Sequence, residues 1–129
     1  FNPETNLYTI AKRSMKKEYF PGFYEIGAGG CVTSNDTDIL KCSQRELKEE
    51  LGIDTSLENI KFVGKMFHSD SFSRGFCYIY SIEYSGNYKF CDGEVDEVNF
   101  WTKEKILDNG KNITPDSFKC FEYYLKNNN

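Results

Sequence analysis

Residues 45–53 read Arg-Glu-Leu-Lys-Glu-Glu-Leu-Gly-Ile, and this run limits the possible folds more than any other part of the chain. A helix turns about 100° per residue. Glu46 and Glu50 are therefore one i,i+4 step apart and Glu46 and Glu49 one i,i+3 step apart, spacings that bring side chains together on a helix surface. Leu47 and Leu51 share the face that can turn to a core. Gly52 can adopt a positive φ and end the helix, with Ile53 folding back onto it. Carboxylates about 5 Å apart repel by roughly 3 kcal/mol at an effective dielectric near 20. A hard cation would turn that repulsion into attraction. Taken alone, the run also fits a solvated helix face in which Arg45 and Glu49 form an ordinary i,i+4 pair.

Other features narrow the class. A chain of 129 residues suits one domain with one core, expected over 1–129, and Phe1 is expected to end an N-terminal strand whose earlier part is truncated. The formal net charge of −4 argues against extended nucleic acid or an anionic membrane as partner, and leaves room for a small basic pocket. No apolar run approaches the ~20 residues needed to span a bilayer. The five cysteines include no CxxC pair and are odd in number, which favours reduced, packing thiols over disulfides or structural zinc. The expected location is cytoplasmic, with a leader trimmed ahead of Phe1 left open. His68 is the single histidine, so a histidine metal site or a Ser-His-Asp triad has little material.

Periodicity predicts strands over 7–13, 23–32, 60–68, 72–84 and 95–101, with a further short strand at 88–90. A helix capped by Asp36 or Thr37 runs to about Leu51, and another begins at Thr102. Thr114-Pro115-Asp116-Ser117 opens a last helix, with Phe118, Phe121 and Leu125 on one face. Strands, helix, strands and two helices suggest an α/β fold, a mixed sheet covered by helices.

Gly29-Gly30, a loop and the Arg45–Ile53 run together resemble the Nudix hydrolase signature: glycine, five residues, glutamate, seven residues, then Arg-Glu-hydrophobic-x-Glu-Glu-x-Gly-hydrophobic. Every fixed position of the second half matches. The first half departs, because one extra residue lies between Gly30 and Arg45. The first acid is Asp36 counted from Gly30, and Thr37 counted back from Arg45. Ala11-Lys12-Arg13-Ser14, Lys17, Pro21-Gly22-Phe23 and Thr114–Ser117 look like the isopentenyl-diphosphate-isomerase-like branch of the superfamily. The isomerase cysteine matches a position near Gly29 and the metal-binding histidines are absent, so the chain reads as a hydrolase-like member.

The resemblance implies an α/β/α sandwich with a central mixed sheet, and hydrolysis of a diphosphate linkage in a nucleoside diphosphate derivative. It also implies Mg²⁺, or Mn²⁺, which hard oxygen ligands favour. Glu46, Glu49 and Glu50 are the expected metal ligands, with the Gly29 carbonyl as a fourth. Glu49, Glu46 or a loop carboxylate takes a proton from water, Glu94 being preferred over Glu97. Arg45 orients a glutamate. Lys12, Arg13 and Lys17, with Lys16 nearby, are the expected substrate-phosphate contacts. Phe20, Tyr24, Phe72 and Phe76 are candidates for stacking on a base. His68 and the cysteines are expected to be structural. The alternatives are an isopentenyl-diphosphate isomerase and a nucleotide-binding Nudix-fold module with weakened catalysis.

Overall fold

The computed structural model describes residues 1–29, 38–72, 74–89 and 95–127. In chain order these form β1 (Tyr8–Arg13), β2 (Tyr24–Ile26), α1 (Ile39–Leu51), β3 (Lys61–Ser69), β4 (Arg74–Ser81), β5 (Val95–Trp101), α2 (Lys103–Asp108) and α3 (Pro115–Asn127). β1 is the centre of a three-stranded sheet in the order β2-β1-β5, and β3 and β4 form a separate hairpin. These pairs are antiparallel. Parallel pairing enters through the bridge between Tyr24 and Ile113. It enters again where the Phe1 nitrogen donates to the Ile82 carbonyl and Tyr84 N–H donates to the Phe1 carbonyl, at 3.0 and 2.9 Å. The mixed α/β sandwich expected from the sequence is the fold observed.

Alternation along β1 divides the core in two. Ile10 joins Trp101, Ile106, Ile113 and Phe121 beneath α3. Ala11 points the other way, to Leu51 and Ile53 at the end of α1, with Leu47, Val95 and Val98 packed around them. The apolar stripe on α1 is thus Leu47 and Leu51, as the helical spacing requires. Phe118 and Leu125 flank the buried Phe121 on α3, as expected.

Several boundaries differ from the sequence expectation. The cap of α1 is Asp38, whose carboxylate accepts from Lys41 N–H at 3.2 Å; Asp36 and Thr37 lie outside the described residues. The described part of the second strand is only Tyr24–Ile26, because Gly27 takes φ +73° and breaks the extended run. β4 ends at Ser81 rather than Tyr84, as the chain leaves the hairpin to pair with Phe1. Tyr88 and Lys89 are not in a strand; Lys89 N–H is taken by the Leu51 carbonyl at 2.8 Å. Thr114 starts α3 through its carbonyl, which accepts from Phe118 N–H, while its buried hydroxyl has no hydrogen-bond partner among the described residues.

Gly52 ends α1 at φ +69°, with its N–H directed to the Leu47 and Lys48 carbonyls. Ile53 N–H also reaches Leu47 O at 3.1 Å. This is the left-handed helix stop predicted from the Gly-Ile pair. Among the described residues no helix is long and apolar enough to cross a membrane.

Candidate active site around the Arg45–Ile53 helix

The α1 acids sit on neighbouring turns but in different surroundings. Glu50 is only 8 % exposed, and its Oε2 accepts the Gly29 N–H at 2.9 Å. Burial of a carboxylate calls for such a donor. Glu49 is half exposed and stands 3.8 Å from Arg45 Nε. Glu46 is 3.6 Å from Arg45 Nη2, and the same guanidinium donates to Cys42 Sγ at 3.2 Å. Arg45 thus lies within ion-pair distance of both outer carboxylates.

Among the described residues no three acidic, cysteine or histidine side chains stand close enough together to hold a metal ion. The three glutamates therefore do not meet at one point: Glu50 is drawn inward to the Gly29 amide, while Glu46 and Glu49 flank Arg45. Their Cβ spacing still belongs to one helix edge, about 5–6 Å for i,i+3 and i,i+4 neighbours. Carboxylate oxygens with a backbone carbonyl are a donor set that fits Mg²⁺ or Mn²⁺.

A fourth carboxylate, not singled out from the sequence, completes this corner. Glu25 pairs in register with Ala11 and so faces α1. Its Oε1 receives Arg13 Nη1, and its Oε2 lies 3.7 Å from where a Cβ on Gly29 would stand. Burial pushes the Glu25 carboxyl above the ordinary range, against the opposing pull of Arg13 and Lys17. The available signal was positional: an acid in a half-buried strand immediately ahead of a glycine turn.

The basic residues do not form one patch. Arg13 lies on the α1 face, and Lys17 is near enough to act on Glu25. Lys12 pairs with Tyr24 and Glu97 and points to the opposite face, so strand alternation removes both Lys12 and Glu97 from this corner. Lys16 is exposed in the following loop. Glu94, Gly30 and Asp36 lie outside the described residues.

The aromatic candidates also separate. Tyr24 packs in the core against Trp101, with ring centroids 4.8 Å apart. Phe76 lies on the outer face of the hairpin beneath Lys65 Nζ, at 4.3 Å. Phe20 and Phe72 touch each other, with centroids 5.2 Å apart. His68 is buried and bonded to Asp70 at 2.7 Å, the structural position expected of it. Cys42 is buried and Cys77 and Cys120 are half-buried free thiols; Cys31 and Cys91 lie outside the described residues.

Comparison with known proteins places these features in a family. The NUDIX domain model matches residues 1–123. The uncharacterized Nudix hydrolase YfcD of Escherichia coli (strain K12) is 31 % identical over 121 residues, covering 92 % of this chain and 64 % of that protein. The chain thus spans just under two thirds of that relative. The NUDIX domain of Shewanella oneidensis NrtR, solved with ADP ribose, superposes with a TM-score of 0.76 at 14 % identity, over 95 % of this chain and 78 % of that one. A bifunctional NMN adenylyltransferase/ADP ribose pyrophosphatase from Francisella tularensis, solved with AMP and a Mn ion, gives 0.72 at 14 % identity, over 94 % of this chain and 38 % of the other.

Proposed function

The chain belongs to the Nudix family, and on that premise we propose that it hydrolyses a diphosphate linkage in a nucleoside diphosphate derivative with a divalent cation. The observation that carries the reading is the corner where the C-terminal half of α1 meets Gly29. Three carboxylates on one helix edge, the Gly29 amide and a half-buried Arg13–Glu25 pair line that corner. The residues that would hold the cation are Glu46, Glu49 and Glu50 with the Gly29 carbonyl. Mg²⁺ or Mn²⁺ bound there would neutralise diphosphate charge and acidify a water molecule.

The chain's own residues supply the rest. Gly29 N–H fixes the direction of Glu50. Arg45 restrains Glu46 and Glu49. Glu49, the most exposed of the three, is placed to accept a proton from solvent water. Arg13 and Lys17 give the corner positive charge against which diphosphate oxygens can rest. The ADP ribose and AMP complexes of the fold neighbours support a nucleotide-derived ligand. Within the family we place the chain in the isopentenyl-diphosphate-isomerase-like branch, on Pro21-Gly22-Phe23 and Thr114–Ser117. We read it there as a hydrolase, since no cysteine occupies the Gly29 position.

The test is product release from a panel of nucleoside diphosphate sugars, dinucleoside polyphosphates, oxidised nucleotides and coenzymes. Release is expected with Mg²⁺ or Mn²⁺ and lost with chelator. Glu49→Gln is expected to lower turnover by about 10²–10⁴-fold without changing the circular dichroism spectrum. Full activity in that variant removes Glu49 from the mechanism. Tight nucleotide binding with no release from any substrate favours a binding module instead.

A further inference from the structure

A pair of aromatic rings stands half out of water close to the acid corner, held there by polar anchors rather than by a core. Tyr19 is 46 % exposed and Phe72 is 55 % exposed. Their centroids are 4.9 Å apart with 36° between the planes. Phe20 meets Phe72 edge-on at 87°, and Phe23 backs Phe20 at 5.2 Å. Large rings normally leave water when they can. This pair instead keeps about half of each side chain in contact with solvent.

Each ring is fixed from behind. The Tyr19 carbonyl accepts from Arg13 Nη2 at 2.8 Å, and the other nitrogen of that guanidinium donates to Glu25. Phe20 carries φ +51°, a left-handed conformation that a bulky side chain avoids unless its surroundings impose it. Phe72 sits in a turn whose Asp70 carboxylate accepts the Phe72 N–H at 2.7 Å and, through its other oxygen, bonds the buried His68. Two loops more than fifty residues apart are thereby tied so that their rings meet.

We propose that Tyr19 and Phe72 form the stacking platform for the base of a nucleotide-derived substrate, and so set its specificity. This rests on the diphosphohydrolase reading. The link to the acid corner is a single guanidinium: the Tyr19 backbone and the Glu25 carboxylate both hydrogen-bond Arg13. The backbone that carries the Tyr19 ring is therefore on the order of 7 Å from the Glu25 carboxylate, two hydrogen bonds and the guanidinium between them. A nucleotide whose diphosphate rests against Arg13 would carry its base on the Tyr19 side of that guanidinium. Every base has a π-face, so the platform explains attraction to nucleotides in general. The Tyr19 hydroxyl is the group that can discriminate among them.

Calorimetric titration with two non-hydrolysable ligands in magnesium buffer tests the platform: α,β-methylene ADP, which has a base, and methylenediphosphonate, which does not. The wild type is expected to bind the nucleotide more tightly. Tyr19→Ala and Phe72→Ala are each expected to weaken nucleotide binding about tenfold or more, to leave methylenediphosphonate unchanged, and to keep the native circular dichroism spectrum. Phe72→Tyr restores nucleotide binding. Equal losses for both ligands, or no loss for either, overturn the platform while the diphosphate site stands. Dimethylallyl diphosphate binding more tightly than the nucleotide, with the same sensitivity to Phe72→Ala, also overturns it in favour of an apolar tail. If the wild type binds neither diphosphonate, the diphosphate site itself fails and the platform falls with it.

Discussion

Gly52→Ala separates two costs at the end of α1. Gly52 and Gly27 have nearly the same backbone, φ +69° and +73°, but different neighbours. A Cβ on Gly52 would stand 2.7 Å from the Lys89 Cβ and carbonyl oxygen and 2.8 Å from its nitrogen; one on Gly27 would meet nothing within 4 Å among the described residues. Placing alanine in the left-handed region costs about 1–2 kcal/mol at either site. At Gly52 the Lys89 backbone must also move, which breaks its hydrogen bond to the Leu51 carbonyl, now 2.8 Å, at about 1 kcal/mol more. Gly52→Ala should therefore cost roughly 2–3 kcal/mol and Gly27→Ala about 1–2. With a urea m-value near 2 kcal/mol/M, the Gly52 variant should unfold about 1–1.5 M earlier than wild type, and the Gly27 variant about 0.5–1 M earlier. Equal midpoint shifts for the two variants would refute the steric part of the argument. No measurable shift at Gly52 would refute the left-handed helix stop that positions Glu49 and Glu50.

Two further outcomes follow from groups away from the acids. Tyr8 is pushed up to about 12, first by burial and then by Tyr124 and Glu104. An unfolded tyrosine ionises near pH ~10, so this contribution to stability is intact below that pH and is lost as the pH rises toward about 12. Alkaline unfolding curves should show that decline, Tyr8→Phe should flatten it, and an unchanged curve for the variant would contradict the assignment. The buried Thr114 hydroxyl has no hydrogen-bond partner among the described residues. Thr114→Val should accordingly be neutral or stabilising by up to about 1 kcal/mol in thermal unfolding, and a loss larger than that would mean the hydroxyl caps α3 after all.

Local signals were readable in the chain because they need only neighbours. The i,i+3 and i,i+4 acids, the Leu47–Leu51 stripe and the Gly52-Ile53 stop all act within one or two helical turns, and each lies where its spacing puts it. The alternation of β1 was equally plain, but its consequence was not. That Lys12 and Arg13 face opposite layers follows only once α1 and α3 have settled on opposite sides of the sheet.

The amino-acid order thus specified a helix edge rich in carboxylates, the residue that ends it and the family to which it belongs. Packing of the folded chain chose the partners: Glu50 turns to Gly29, Glu25 pairs with Arg13, and Phe72 leans on Tyr19. Periodicity is a property of consecutive residues, whereas an ion pair or a ring contact joins segments 12 to 53 residues apart. Such contacts form only when the sheet and its helices close around a common core, and no short window of sequence encodes that closure.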